Sequence, residues 1–332
     1  MKSLADDFAR RWLSLPACCR VPVVAGLLLL SLPASPVLAY SSSAEPEWWI
    51  DRGQLYIGGS LAKAGGAVDS FLSRDYRRSE NHSYLRIRLA RVLEEGGSSL
   101  TRHDFDLHAD LPKTRKRLRL VISSESDDFD SLLDQERNEA TGKNRSGDDE
   151  DRLAAALRFF WPDVSSWNPS LDIGIRSSLP LDPFVKFRVD KVFALDDKWY
   201  FRTAHELFFY HQSGLGEKSA FVFDRRIGED WLFASLLEMR WEERETILEF
   251  AEILSLTHFH RPNKTYVYRS GAFFQRQPRS QLTGYFVDIN YRRRLYQEIL
   301  FAEMIPGMYW LRENDFKGRA SITFRLVMYF RS

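Results

Sequence analysis

Most of the chain consists of short segments in which apolar and polar residues alternate. The first of them places Leu85, Ile87 and Leu89 on one face and Arg86 and Arg88 on the other. Successive side chains of a β-strand point to opposite faces, so this alternation predicts strands with one apolar and one charged face. The predicted strands lie near residues 84–95, 99–111, 116–125, 153–161, 169–178, 183–195, 198–212, 218–226, 230–243, 246–260, 264–276, 280–293, 295–305 and 319–331.

Short connections separate many of these segments. Hairpin-turn signals occur at Leu181-Asp182-Pro183, Asp196-Asp197, Gly228-Glu229-Asp230, Arg261-Pro262-Asn263 and Gln277-Pro278-Arg279. Such connections leave no room for the crossover helices that join parallel strands. The pattern therefore predicts an all-β, antiparallel meander of about fourteen strands, with twelve as the fallback if two weak segments fail, because single-chain bacterial barrels have even strand numbers.

A membrane barrel explains the alternation better than a soluble sandwich does. Val185, Phe187 and Val189 alternate with Lys186 and Arg188 in one segment. A soluble sheet needs a second layer over its apolar face, whereas lipid can cover that face and barrel closure pairs every strand edge. Aromatic residues near strand ends suit the headgroup level. They are Phe159-Phe160-Trp161, Trp199-Tyr200, Trp231, Trp241, Tyr291, Tyr296 and Trp310.

The last strand ends in an alternating segment closed by an aromatic residue, Phe330. It resembles the closing strand of bacterial outer-membrane β-barrel proteins, although Arg331 and Ser332 follow the aromatic residue here. The resemblance is to this broad class and implies no specific function. It implies outer-membrane lipid and lipopolysaccharide as surroundings, and the barrel-assembly machinery as a partner during biogenesis.

Residues 1–39 have the three parts of a secretory signal peptide. Basic residues precede the apolar run 21–33, and small residues up to Ala39 form a cleavage site. The run is shorter than the roughly 20 residues that span a bilayer, and an uncleaved anchor is the alternative. Cys18 and Cys19 lie in this segment, so the mature chain would contain no cysteine. We therefore predict Sec-type export, cleavage after Ala39 and an outer-membrane location.

Two segments do not alternate. Residues 40–83 carry apolar residues, including Trp48 and Trp49, at mostly helical spacings, and they predict short amphipathic helices before the barrel of residues 84–332. These helices could plug the lumen, dock on a periplasmic partner or form a loose linker. Residues 126–152 are strongly acidic and predict an outer loop, which would either gather cations or remain a solvated connection.

Composition narrows the classes of function. The chain has 332 residues and a net charge of +1 without a dominant basic stripe, which argues against nucleic acid as a partner. A mean hydropathy of −0.36 argues against a bundle of transmembrane helices. It does not argue against a barrel, in which only alternate residues face lipid.

The polar face carries charges of both signs. Their order along the first three strands is basic, acidic and basic, which favours cross-strand ion pairs. Such charges would either make a polar interior tolerable or set the ion preference of a pore. The predicted lumen-lining charge ladder comprises Arg86, Arg88, Asp104, Asp106, Asp110, Arg117, Arg119, Lys186, Arg188, Asp190, Asp288, Arg292 and Arg325.

The sequence predicts a passive, porin-like channel for small ions or solutes, because a barrel of this size can enclose an aqueous lumen. The alternatives are a membrane-embedded lipid hydrolase or deacylase, and a non-enzymatic envelope scaffold or binding protein. Ser255, His258 and His260 share a predicted strand near Glu252, but Ser255 and His258 would face opposite sides. We therefore assign no catalytic residue, cofactor or metal site.

Overall fold

The computed structural model describes residues 83–111, 117–124, 153–161, 166–178, 180–244, 247–276 and 279–331. The predicted signal peptide, the predicted helices and the acidic loop 126–152 lie outside the described residues. The strands are β1 Tyr84–Glu94, β2 Ser99–Leu111, β3 Leu118–Ser124, β4 Leu153–Phe160, β5 Asn168–Arg176, β6 Asp182–Ala194, β7 Trp199–Tyr210, β8 Gly214–Ile227, β9 Trp231–Glu242, β10 Ile247–Arg261, β11 Lys264–Arg276, β12 Ser280–Tyr296, β13 Leu300–Leu311 and β14 Gly318–Arg331.

Every strand pairs in an antiparallel manner with its neighbours in sequence, and β1 closes the sheet against β14. The closing register runs from Tyr84 opposite Arg331 to Glu94 opposite Ser321. Closure gives every strand two hydrogen-bonded neighbours, so no sheet edge is left unpaired. The predicted antiparallel barrel of fourteen strands is therefore confirmed. We call the end that holds Tyr84 and Arg331 the terminal end, and the opposite end the distal end.

The turn between β12 and β13 lies at a different place from the predicted one. The sequence predicts strands at 280–293 and 295–305, with the turn between them near residue 294. In the structure β12 continues to Tyr296, and β13 extends from Leu300 to Leu311, so the turn lies at residues 297–299. The turn between them has no glycine or proline, and Gln297 adopts a φ of 38° there. Pro306, which would be expected to end a strand, lies inside β13 opposite Ile322. Turn chemistry alone therefore misplaces this hairpin.

The barrel has an apolar exterior and a charged interior. Ile173, Phe187 and Leu207 point outward and are 57%, 43% and 50% exposed. On the same strands, Asp172 and Lys186 point inward and are 3% and 1% exposed. This arrangement is the reverse of a water-soluble protein, and it suits a wall whose outer surface contacts lipid. Among the described residues, no helix is long and apolar enough to cross a membrane.

Apolar side chains also occupy part of the interior, towards the distal end. Phe184, Phe208 and Tyr210 pack with small side chains of β3 and β4. Gly174 and Gly216 make room for the two phenylalanine rings, because a Cβ on either glycine would collide with a ring. A second inward cluster lies on β10 to β13 and comprises Ala251, Ile253, Phe273, Phe286, Tyr309 and Leu311.

Candidate functional site

Each of the fourteen strands contributes at least one charged side chain to the interior, since the inward positions of the alternating strands are the polar ones. We call this set the charged interior. In strand order it comprises Arg86, Asp106, Arg119, Arg158, Asp172, Lys186, Glu206, Lys218, Glu238, Glu249, Arg269, Asp288, Glu303 and Arg325.

On β1 and β2, basic and acidic residues lie opposite each other as the pairing of the strands requires. Arg86 is opposite Asp106, and their side chains are 2.9 Å apart. Arg88 is opposite Asp104 at 3.8 Å, and this pair is more accessible than the first. Cross-strand pairing therefore neutralises the charges of these two strands locally.

The remaining predicted residues near these strands differ in their surroundings. Arg119 donates a hydrogen bond to Asp110 at 2.6 Å across β2 and β3. Arg117 precedes the first residue of β3 and is exposed, so it is not part of a strand. Asp190 lies on β6 and accepts a hydrogen bond from the Asn168 amide at 2.9 Å.

A group of deeply buried charges lies on β4 to β7. Arg158 donates two hydrogen bonds to Asp172, at 2.7 and 2.8 Å. Glu206 lies between two cations, with Lys186 at 3.5 Å and Arg188 in hydrogen-bond contact. Sequence reasoning had included only the two cations of this group. Arg158, Asp172 and Glu206 occupy the polar positions of alternating strands, so the same pattern could have found them.

A similar group lies on β11 to β14. Arg269 donates to both carboxylate oxygens of Asp288, at 2.9 and 2.8 Å. Glu303 lies between Arg325 at 3.0 Å and Arg292 at 3.6 Å. Removing these charges from water would be costly if they were alone, and each pairing offsets that cost. On these strands the charged interior is thus built from compensated pairs and triads.

The residues considered for hydrolysis do not form a site. Ser255 points inward, opposite Arg269. His258 points outward near the terminal end, where its ring stacks on Trp231 with centroids 4.1 Å apart. His260 is next to His258 on the same face, with ring centroids 5.5 Å apart. The two histidines therefore lie among aromatic residues at the terminal end, and the described residues include no group of three His, Cys, Asp or Glu suited to a metal ion.

A polar cluster interrupts the outer wall on β7 and β8. The His205 ring makes hydrogen bonds of 2.9 Å to Thr203 through Nε2 and of 2.9 Å to Ser219 through Nδ1. Ser219 donates to Glu217 at 3.3 Å. If Ser219 gives its proton to Glu217, Nδ1 must donate to Ser219, and Nε2 then accepts from Thr203. We call these four residues the His205 cluster.

Sequence reasoning missed the His205 cluster. Its members occupy outward positions, which are apolar on most of the barrel, so polar residues at apolar positions are the signal that could have revealed it. His205 lies about midway along β7, between Trp199 at the terminal end and Tyr210 at the distal end. A wall at this height contacts lipid hydrocarbon, where polar side chains are costly and mark functional contacts.

An apolar exterior, a closed antiparallel sheet and a compensated charged interior define a transmembrane β-barrel. The structure thereby confirms the resemblance to bacterial outer-membrane β-barrels as a class.

No protein-family model matches this chain, and no curated protein matches it. Similar solved structures include OmpT of Vibrio cholerae, with 9% identity and a TM-score of 0.45 over 76% of this chain and 99% of that one. The channel DcaP of Acinetobacter baumannii has 10% identity and a TM-score of 0.41 over 76% and 96%. A bacterial polysaccharide outer-membrane secretin has 11% identity and a TM-score of 0.46 over 76% and 100%.

Proposed function

We propose that this chain is a bacterial outer-membrane channel that passes small ions or solutes through a charge-compensated lumen. The observation that carries the proposal is the charged interior, to which all fourteen strands contribute. A lumen lined by charge interacts with hydrated solutes, while pairing of opposite signs keeps the net field small. We therefore expect weak ion selectivity.

The apolar clusters towards the distal end suggest that the passage is narrow. Phe184, Phe208 and Tyr210 are buried, and Lys186 just beyond them is 1% exposed. Bulky groups of this kind restrict a lumen more than charged side chains, which can bend towards water. The expected conductance is accordingly smaller than that of a wide water-filled pore.

The test is planar-bilayer conductance of the refolded mature chain. Discrete conductance steps that refolded protein produces, and that heat-denatured protein does not, would support a channel. A silent bilayer containing demonstrably folded barrel would contradict it. A matched pair of variants then tests whether the interior lines the path, since Arg88 and Asp104 form an inward ion pair that is partly accessible.

Asp104→Asn removes the negative charge that faces Arg88 and should shift the reversal potential in the direction of anion selectivity. Arg88→Gln removes the positive charge that faces Asp104 and should shift the reversal potential in the direction of cation selectivity. Phe324→Leu, which changes only the outer wall, is the control and should leave the reversal potential unchanged. Shifts of the same sign for both interior variants would contradict a path along this pair.

The hydrolase alternative would now rest on the His205 cluster, because it brings an imidazole within 2.9 Å of two hydroxyl groups. The position of His205 along the barrel axis argues against hydrolysis of lipid esters. Lipid esters lie near the headgroups, whereas His205 lies about midway along β7. The position of the cluster therefore argues against a reaction with lipid esters.

A further inference from the structure

Three cations lie side by side on the outer face of the barrel at the terminal end. Arg293 on β12 is an odd number of residues from the inward Asp288, so its side chain points outward. Lys264 on β11 is the register partner of Arg293 and shares this face. Arg261 on β10 is the partner of Lys264 on its other side. We call Arg261, Lys264 and Arg293 the terminal cation row.

The terminal cation row is uncompensated by the chain itself. Like charges directly opposite each other on neighbouring strands repel and destabilise the sheet, and Lys264 has such a neighbour on both sides. Within the part of the chain that the structure describes, none of the three forms an ion pair or a side-chain hydrogen bond. Arg261 and Arg293 are exposed, and Lys264 is half-buried. This arrangement favours an anion that is supplied from outside the protein.

Other cations at the same end have partners within the chain. The guanidinium of Arg225 lies over the Trp199 ring, 5.0 Å from its centroid, and its charge helps to lower the pKa of the Asp196 carboxyl. Arg331 forms an ion pair with Glu298 at 3.3 Å. The terminal cation row therefore differs from these cations, because its three members face one another without a carboxylate.

A row of rings lies next to these cations, on the side towards the middle of the barrel. His258 stacks on Trp231 with centroids 4.1 Å apart, and the centroid of Tyr266 is 6.2 Å from that of His258. Tyr291 continues the row at 5.1 Å from Tyr266. Both tyrosines are two residues from a member of the terminal cation row, which is about 7 Å along a strand. Tyr and Trp prefer the headgroup level, so the cations lie at the phosphates of the membrane surface.

The same outer face becomes more apolar towards the middle of the barrel. The next outward residues of β10, β11 and β12 are Leu256, Tyr268 and Ile289. From the end inward, the surface thus presents cations, then rings with polar edges, then mostly apolar side chains. A glycerophospholipid has the same order of phosphate, ester and acyl chain. Free phosphate would use only the cations, so the surface fits a lipid better.

The position of the longest connection indicates which leaflet the terminal end meets. Outer-membrane barrels have short turns on the periplasmic side and longer loops outside. The long connection, residues 125–152, joins β3 to β4 at the distal end, whereas connections at the terminal end include 195–198 and 262–263. We therefore expect the terminal end to face the periplasm, in the leaflet that holds glycerophospholipids and not lipopolysaccharide.

We propose that the terminal cation row binds the headgroup of an anionic glycerophospholipid, whose ester region lies on the row of rings. The arginines can each donate two parallel hydrogen bonds to phosphate oxygens, and Lys264 adds a point charge between them. The row crosses three strands, about 10 Å, so it can contact both phosphates of a lipid such as cardiolipin. The proposal is independent of permeation, because it concerns only the outer wall.

Native mass spectrometry of the refolded mature protein tests the binding. The protein is released from detergent in the presence of cardiolipin, or of phosphatidylcholine with the same acyl chains. Cardiolipin should remain bound at energies that remove phosphatidylcholine. Equal retention of the two lipids would overturn the proposal. Inorganic phosphate that displaces cardiolipin at equal concentration would overturn the assignment to a lipid, because it would show that the apolar part adds nothing.

A matched pair of arginine variants tests the location. Arg293→Gln removes one charge from the terminal cation row and should weaken cardiolipin binding about fivefold, the effect of one basic residue near an anionic lipid surface. Arg225→Gln removes the same charge from an exposed arginine at the same end that has partners in the chain, and it should leave binding unchanged. An equal loss in both variants would show a general effect of charge and would contradict the assigned site.

Reversal of the central charge separates lipid binding from folding. Lys264→Glu would face an arginine on each side, so its ion pairs should raise the urea midpoint in phosphatidylcholine vesicles above that of wild type. Heat-modifiable migration on gels verifies that the variant folds. Added cardiolipin should raise the midpoint of the wild type and leave that of Lys264→Glu unchanged. A variant that responds to cardiolipin as the wild type does would overturn the proposal.

Discussion

Asp288 and Glu252 are carboxylates at mid-strand in the same part of the sheet, but they lie on opposite faces. Asp288 points inward and accepts two hydrogen bonds from Arg269. Glu252 points outward, and its neighbours across the strands are Leu237 and Ala272. The alternation of the sequence places Asp288 on the polar inner face, among compensated charges. The same alternation places Glu252 on the outer face, where the other residues are mostly apolar. A charge on the polar face completes the interior, whereas the charge of Glu252 on the apolar face has only apolar residues opposite it on both neighbouring strands.

The largest expected effect comes from removing one partner of the inward ion pair between Arg269 and Asp288. Arg269→Met should destabilise the barrel by about 3–5 kcal/mol, because Asp288 is then buried without its bidentate partner. Unfolding in urea from lipid vesicles, followed by tryptophan fluorescence, measures the loss. The double variant Arg269→Met/Asp288→Leu is the control, since replacement of both charges by apolar groups should recover most of the stability. A double variant as unstable as the single one would show that packing, and not charge compensation, matters here.

A second test adds a cation to the outer wall at two positions, one among apolar side chains and one opposite Glu252. Leu326→Arg places a charge among the apolar side chains of β14 and should cost about 2–4 kcal/mol. Leu237→Arg places the same charge directly opposite Glu252 and should cost clearly less, because a cross-strand ion pair forms. The same urea titrations compare the two variants. Equal losses would mean that Glu252 does not face its register partner.

A smaller effect is expected within the His205 cluster. In a double-mutant cycle, Ser219→Ala and His205→Phe should show a coupling energy of about 0.6 kcal/mol, the average for hydrogen bonds between side chains in membranes. A pairing of Ser219→Ala with Ser270→Ala is the control, because Ser270 lies on β11, away from the cluster. Coupling as large in the control would indicate a general change of the wall.

The alternation of the sequence predicted the barrel and six of the fourteen residues of the charged interior, because a period of two fixes which face each residue occupies. It could not identify the ion pairs of Glu206 or Glu303, since partners depend on the register between strands. It misplaced the β12–β13 turn, where Gln297 adopts a turn conformation without a glycine. The His205 cluster was missed because its members lie on two strands, and each alone is an unremarkable exception to alternation.

The smallest expected effect lies outside the membrane wall, at the turn between β6 and β7. Asp196 accepts hydrogen bonds of 2.7 Å from the backbone N–H groups of Lys198 and Trp199. These bonds, that from Lys198 most strongly, lower the pKa of the Asp196 carboxyl. Its stabilising contribution is therefore present above the pKa of the unfolded chain and is lost as pH falls through the lower folded value.

Asp196→Ala should thus lower the unfolding midpoint slightly at neutral pH. The difference from wild type should shrink as the pH falls below the usual range of aspartate. Asp196→Asn keeps an acceptor oxygen without a titrating group, so it should lie between the two and show no comparable pH dependence. Urea midpoints measured from neutral to strongly acidic pH test this order. A difference between wild type and Asp196→Ala that stays constant over that range would contradict the role of the ionised carboxylate at this turn.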